Sequence, residues 1–81
     1  MRNLHRSDKF EADIKSLDNS IRLRAKDAVD KIQKNPELGK PLRHELAGLF
    51  SEHFGGWRII YGYDNENIYL LSRRKRKAAY K

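Results

Sequence analysis

The stretch Gly55-Gly56-Trp57-Arg58-Ile59-Ile60-Tyr61-Gly62-Tyr63, followed by Asp64-Asn65-Glu66-Asn67, decides the fold. Its period is two, with Trp57, Ile59, Tyr61 and Tyr63 on one face and Arg58, Ile60 and Gly62 on the other. Both faces are largely apolar, which predicts a strand covered on both sides. The glycine pair before it and the Asp-Asn-Glu-Asn run after it read as hairpin turns. Residues 49–54 and 68–72, aromatic or β-branched in character, then become its antiparallel neighbours.

Upstream the period lengthens. Phe10, Ile14 and Leu17 recur at i, i+4 and i+7, one face of a helix, and Asp8 with Glu11 resembles a capping box. Asp18-Asn19-Ser20 break that helix and offer a fresh N-cap. Ile21, Ala25, Ala28, Val29 and Ile32 form the stripe of a second helix, which Asn35-Pro36 ends because proline disfavours helix in the residue before it. Residues 1–6 are short and polar, an edge strand at most. The pattern predicts one α+β domain over residues 1–81. An N-terminal helical hairpin (about 8–35) packs on a small antiparallel sheet of three to four strands (about 49–72), and a basic C-terminal segment (73–81) follows.

Composition sets the outer bounds. Eighty-one residues with 38% hydrophobic content suffice for one core, and a chain this short buries only a little over roughly 60% of its unfolded surface. Cysteine is absent, which excludes disulfides and Cys-ligated metals. No apolar run approaches the length of a membrane span, and the N-terminus lacks a signal-like segment. The expectation is a soluble cytoplasmic protein with no membrane partner. The chain carries 18 Lys+Arg against 11 Asp+Glu, a net charge of +7. Residues 73–81 hold six of those cations and no acid, so the other 72 residues carry only +1. Such a block attracts polyanions through counterion release. It follows an apolar strand with no Gly/Ser linker and includes an aromatic, Tyr80, which a merely solubilising tail does not need.

Familiar catalytic motifs fail. His44-Glu45-Leu46-Ala47-Gly48 begins like a zinc-protease motif, but Gly48 stands where the second ligand belongs. Gly39-Lys40 lacks the rest of a phosphate loop, and His5, His44 and His53 show no ligand spacing. No metal site and no cofactor is expected. The most informative residue is Arg58, a guanidinium inside an apolar run, where such a group needs a partner. Either it bridges across the sheet, for which Glu52 is the candidate, or it clamps phosphate with its rigid fork.

The ordered set Asn35-Pro36, Gly39-Lys40-Pro41-Leu42, Leu46-Ala47-Gly48-Leu49, Gly56-Trp57-Arg58-Ile59-Ile60-Tyr61, Ile68-Tyr69-Leu70-Leu71, Arg74, Arg76 and Tyr80 resembles the RelE/ParE superfamily of toxin–antitoxin toxins. It is closest in look to the RelE-like branch. The resemblance covers nearly the whole chain and implies a helical hairpin on a curved antiparallel sheet. It implies a ribosome-dependent endoribonuclease that cuts mRNA in the A site without metal. Arg58 matches the family's strand arginine, Arg74 or Arg76 its C-terminal arginine, and Tyr80 its terminal tyrosine. Where family members often carry basic residues, this chain has Leu49, Ser51 and His53.

RNA cleavage needs a deprotonated 2′-OH, in-line attack on phosphorus, a stabilised dianion and a protonated leaving oxygen. Arginine cannot be a base, so Arg58, Arg74 and Arg76 are expected to stabilise the developing charge. Tyr80 is either the base or a stacking platform, and His53 is the other acid–base candidate. Arg73, Lys75, Lys77 and Lys81 are expected to hold RNA. Trp57 and Phe54 are expected in the core rather than against bases. The implied partners are a cognate acidic antitoxin and mRNA on the ribosome, with promoter DNA reached only through the antitoxin complex. The competing readings are a ParE-like toxin that inhibits DNA gyrase by binding, and a non-catalytic basic RNA-binding module.

Overall fold

In the structure, a computed structural model that describes residues 2–75, the central strand has the bounds its period predicts. It is one of five strands: β1 (Asn3–Arg6), β2 (Lys40–Pro41), β3 (Phe50–Phe54), β4 (Trp57–Tyr63) and β5 (Asn67–Lys75). Two helices, α1 (Asp8–Lys15) and α2 (Asn19–Lys34), lie between β1 and β2. The sheet order is β1-β5-β4-β3-β2, which puts β4 in the middle.

The sheet therefore has five strands and is mixed, not three to four and antiparallel. The extra edge is β1, which pairs parallel with β5 from Asn3↔Asn67 to Arg6↔Leu70. Its partner lies more than sixty residues away, and only Leu4 of its residues packs against the core. So short a polar segment carries no alternation to read. The opposite edge, β2, is two residues long, and both edges are thus short or polar, as exposed edges usually are.

Helix starts follow local hydrogen bonding. Ser7, not Asp8, caps α1: its hydroxyl accepts from the Phe10 amide at 3.0 Å and donates to the Leu71 carbonyl at 2.8 Å. Asp18 caps α2 as its sequence suggests, accepting from the Ile21 amide at 3.1 Å. The helices touch each other little; α1 docks mainly on β5 and α2 on β3, so each is held by the sheet rather than by a tight hairpin. Two turns give α1 room for few apolar contacts, and its Phe10 and Ile14 are spent on the sheet.

One core lies between the helices and the sheet, built from Phe10, Ala25, Ala28, Val29 and Ile32 against Phe54, Ile59, Tyr61, Ile68 and Leu70. The Tyr61 hydroxyl is buried with them and donates to the Pro36 carbonyl at 2.6 Å. A Cβ at Gly39 would collide with that same hydroxyl, so the turn after α2 is closed around Tyr61. Between Ile60 and Tyr61 the β4–β5 register shifts, Ile60 facing Ser72 and Tyr61 facing Leu70. Leu71 is the extra residue of a bulge.

The largest departure from the sequence reading is the length of β5. It continues through Arg73, Arg74 and Lys75, so the first third of the basic block is strand.

Candidate functional site

Pairing of β3, β4 and β5 sorts the basic residues onto two faces. His53 stands opposite Arg58, and Arg58 opposite Arg74, forming one row across three strands on the face turned away from the helices. Cross-strand neighbours of this kind sit about 4.5–5.5 Å apart at Cα. Two arginines facing each other repel, and a dianion between them removes that cost. Arg58 is 5% exposed, His53 and Arg74 are exposed. The next row, Ser51–Ile60–Ser72, is buried and uncharged.

Glu52 is not the partner of Arg58. It pairs with Ile59, which turns it to the helix side, where its charge reaches Tyr61 instead. Burial, with Glu52 adding to it, pushes the Tyr61 phenol up to about 12.

Alternation sends Arg73 and Lys75 to the helix face, away from Arg58. Arg73 pairs with Ile59 and Lys75 with Trp57. The Arg73 guanidinium lies 4.1 Å from the Trp57 ring centroid and hydrogen-bonds the Ser16 hydroxyl at 3.2 Å, while its amide donates to Asp13 Oδ2 at 3.1 Å. Burial raises the Asp13 carboxyl, but the Arg73 amide and Lys9 outweigh it and hold the group below the usual carboxylate range. Arg73 thus clamps α1 to β5, with Trp57 beneath it; Phe54 is in the core. Of the basic residues expected to hold RNA or charge, Arg76, Lys77 and Lys81 lie outside the described residues, as does Tyr80.

Sequence reasoning missed a groove beside Arg58. Pro41, Leu42 and Leu46 line it with Lys40, Arg43, His44 and Arg58; it is open to solvent, with a volume of about 690 Å³. The signal was present: three basic or imidazole side chains within five residues, Lys40 to His44, just before the strand that pairs with β4. Only the bend of the 42–49 connection brings them to Arg58. Among the described residues no group of three or more His, Asp or Glu is placed to hold a metal.

The arrangement can seat a phosphodiester on two guanidiniums with an imidazole beside it. Comparison with known proteins bears on the family. The Mycobacterium tuberculosis toxin RelG is 46% identical over 37 residues, 46% of this chain and 42% of that protein. The Mycobacterium tuberculosis toxin RelE is 38% identical over 50 residues, 58% of this chain and 52% of that one. The matched stretches thus span about half the length of these relatives. The crystal structure of the RelBE2 toxin–antitoxin complex from Mycobacterium tuberculosis superposes with a TM-score of 0.80 at 28% identity, covering 93% of this chain and 98% of that one. Residues 4–80 match the ParE toxin of type II toxin–antitoxin systems, and with the same sheet and helices in place the chain belongs to that family, within the RelE/ParE superfamily of toxins.

Proposed function

We propose that this toxin is an endoribonuclease of the RelE-like branch that cuts mRNA in the ribosomal A site. The observation that carries the reading is the row His53–Arg58–Arg74, with two arginines paired in register on neighbouring strands. In the reaction the 2′-oxygen loses its proton and attacks phosphorus, forming the O2′–P bond as the P–O5′ bond breaks. The products are a 2′,3′-cyclic phosphate and a 5′-hydroxyl. Arg58 and Arg74 stabilise the dianionic phosphorane, in which charge builds on the nonbridging oxygens. His53 has the chemistry to move a proton beside Arg58, and Tyr80 and Arg76 complete the expected set from the segment beyond Lys75. No metal or cofactor enters these steps.

A cognate acidic antitoxin is the expected partner, as the RelBE2 complex suggests. It neutralises a chain of net charge +7, and promoter DNA is reached only through that complex.

A second reading, inhibition of DNA gyrase by binding, has its own support. The matched family is that of ParE toxins, and the row beside Arg58 (Ser51–Ile60–Ser72) lacks cations. Purified protein added to translating ribosomes, with mRNA 5′ ends mapped, and to a gyrase supercoiling assay, separates the two. The endoribonuclease reading expects A-site cuts and unimpaired supercoiling. Blocked supercoiling with no cuts assigns the chain to the second.

A further inference from the structure

Trp57 lies under Arg73 and Phe54 in the core, so neither offers a free ring to a base. An open aromatic surface stands elsewhere on the face that carries the His53–Arg58–Arg74 row. His5, Tyr69 and Gly62 pair across β1, β5 and β4. Alternation puts them on that face, since their chain neighbours Leu4, Leu70 and Tyr61 pack on the helix side. The His5 and Tyr69 rings stack, with centroids 5.0 Å apart and planes 16° from parallel. His5 thus covers the face of the Tyr69 ring that looks toward β1. The other face looks toward β4, where Gly62 has no side chain, and Tyr69 is 40% exposed. Beyond Gly62 stands Leu49, whose Cδ2 a Cβ on Gly62 would approach to 3.1 Å. Leu49 precedes Phe50, the partner of Tyr61, so it comes from the β3 side. Across β4, β3 and β5 are about 10 Å apart, which leaves the thickness of one planar ring between Leu49 and Tyr69.

The stack is fixed by a relay of hydrogen bonds. Asp64 Oδ1 accepts from the Asn67 amide at 2.8 Å and from Asn67 Nδ2 at 3.4 Å, which orients the Asn67 side chain. Its free oxygen, Oδ1, then accepts from His5 Nε2 at 2.8 Å, so the His5 ring carries a proton there. Rings held this way lose little rotamer freedom when a ligand arrives. The pair also steadies β1 on β5, but that role needs neither an exposed ring face nor a gap above Gly62.

We infer that the slot over Gly62, between Tyr69 and Leu49, takes an unpaired nucleobase of single-stranded RNA, stacked on Tyr69 with His5 backing the ring. The inference rests on the reading of the Arg58–Arg74 row as an RNA clamp and gives the same RNA strand a second, remote hold. Gly62 lies four residues from Arg58 along β4, about 13 Å at the rise of a strand. Exposed aromatics on a sheet face are a recurrent platform for unstacked bases, and every base has a π-face to offer them. The residues that form the slot include no Lys or Arg, so they suit a base better than an acidic protein segment.

The test is a ring-proton chemical-shift titration of the whole chain with an all-2′-deoxy heptanucleotide, which binds but cannot be cut. A strand of the same length with every base removed is titrated in parallel. Wild type should show upfield shifts of the Tyr69 ring protons with the heptanucleotide and none with the abasic strand. Tyr69→Leu should weaken heptanucleotide binding at least about fivefold and leave abasic-strand binding unchanged. The salt dependence of binding should stay as in wild type, because no cation is removed. Tyr69→Trp, which keeps a ring, should bind as tightly as wild type. Heptanucleotide affinity unchanged in Tyr69→Leu overturns the slot, as does equal weakening for both strands, which makes the ring merely structural. Tyr69 shifts that follow protein concentration without oligonucleotide also overturn it, since they put a second copy of the chain there. The wild-type shifts decide the matter even if Tyr69→Leu fails to fold. If wild type cuts ribosomal mRNA while the Tyr69 ring stays unshifted, the slot falls and the endoribonuclease reading stands. If the ring shifts with bases but no mRNA is cut, the reverse holds.

Discussion

Tyr61 links the core to the site. Its ring fills the space under β4, its hydroxyl donates to Pro36 across a turn that Gly39 keeps open, and the same strand presents Arg58 on the other face three residues earlier. Replacing it with Phe leaves the Pro36 carbonyl without that donor and should cost about 1–2 kcal/mol at neutral pH. The cost has a defined pH profile. The folded phenol sits near 12, against about 10 in an unfolded chain, so between those values the native state binds more protons than the unfolded one. The stability it contributes is complete below pH ~10 and lost as pH rises to ~12. The difference in unfolding free energy between wild type and Tyr61→Phe should hold steady from pH 7 to 9 and shrink from 10 to 12. A difference that stays level through pH 12 contradicts the burial argument.

At the scale of the element, β5 decides which basic residues serve structure and which serve the site. Its period of two makes neighbours Arg73 and Arg74 opposites: one stacks on Trp57 and ties down α1, the other faces Arg58. Arg73→Ala should lower the melting temperature by several degrees, about 1–2 kcal/mol of lost stacking and hydrogen bonding, with the His53–Arg58–Arg74 row intact. Arg74→Ala should leave the melt within about 2 °C and cut single-turnover RNA cleavage by at least about tenfold. Melting curves and cleavage rates that fail to split this way contradict the face assignment. This element also marks the limit of what the sequence discloses. Around Trp57–Tyr63 alternation, flanking glycines and turn residues all agree, and the strand could be bounded to the residue. Past Ser72 composition masks alternation: from Arg73 to Lys77 every side chain is basic, and only the partner strand, with Trp57 ready to receive Arg73, reveals a continued strand. Likewise β1 is specified by a partner sixty residues away, and Ser7 rather than Asp8 caps α1 because its hydroxyl also reaches Leu71.

For the molecule as a whole, the net charge of +7 takes on a geometry. The helices and one sheet face hold the core, and the other face carries the row His53–Arg58–Arg74, with the Lys40–His44 segment bordering it. Arg58 and Arg74 could be named from the sequence; their direct opposition could not, because it depends on a register set by a bulge at Ile60/Tyr61. Nor could the groove, which needs the 42–49 connection to bend. The central claim is that Arg58 stabilises charge in the transition state of RNA cleavage. It is tested most directly by the single-turnover rate of A-site mRNA cleavage on programmed ribosomes, wild type against Arg58→Ala, each shown to be folded by its thermal melt. The account predicts a rate at least about tenfold lower in the variant, about 1.4 kcal/mol of lost transition-state stabilisation. Cleavage by folded Arg58→Ala at the wild-type rate would contradict it.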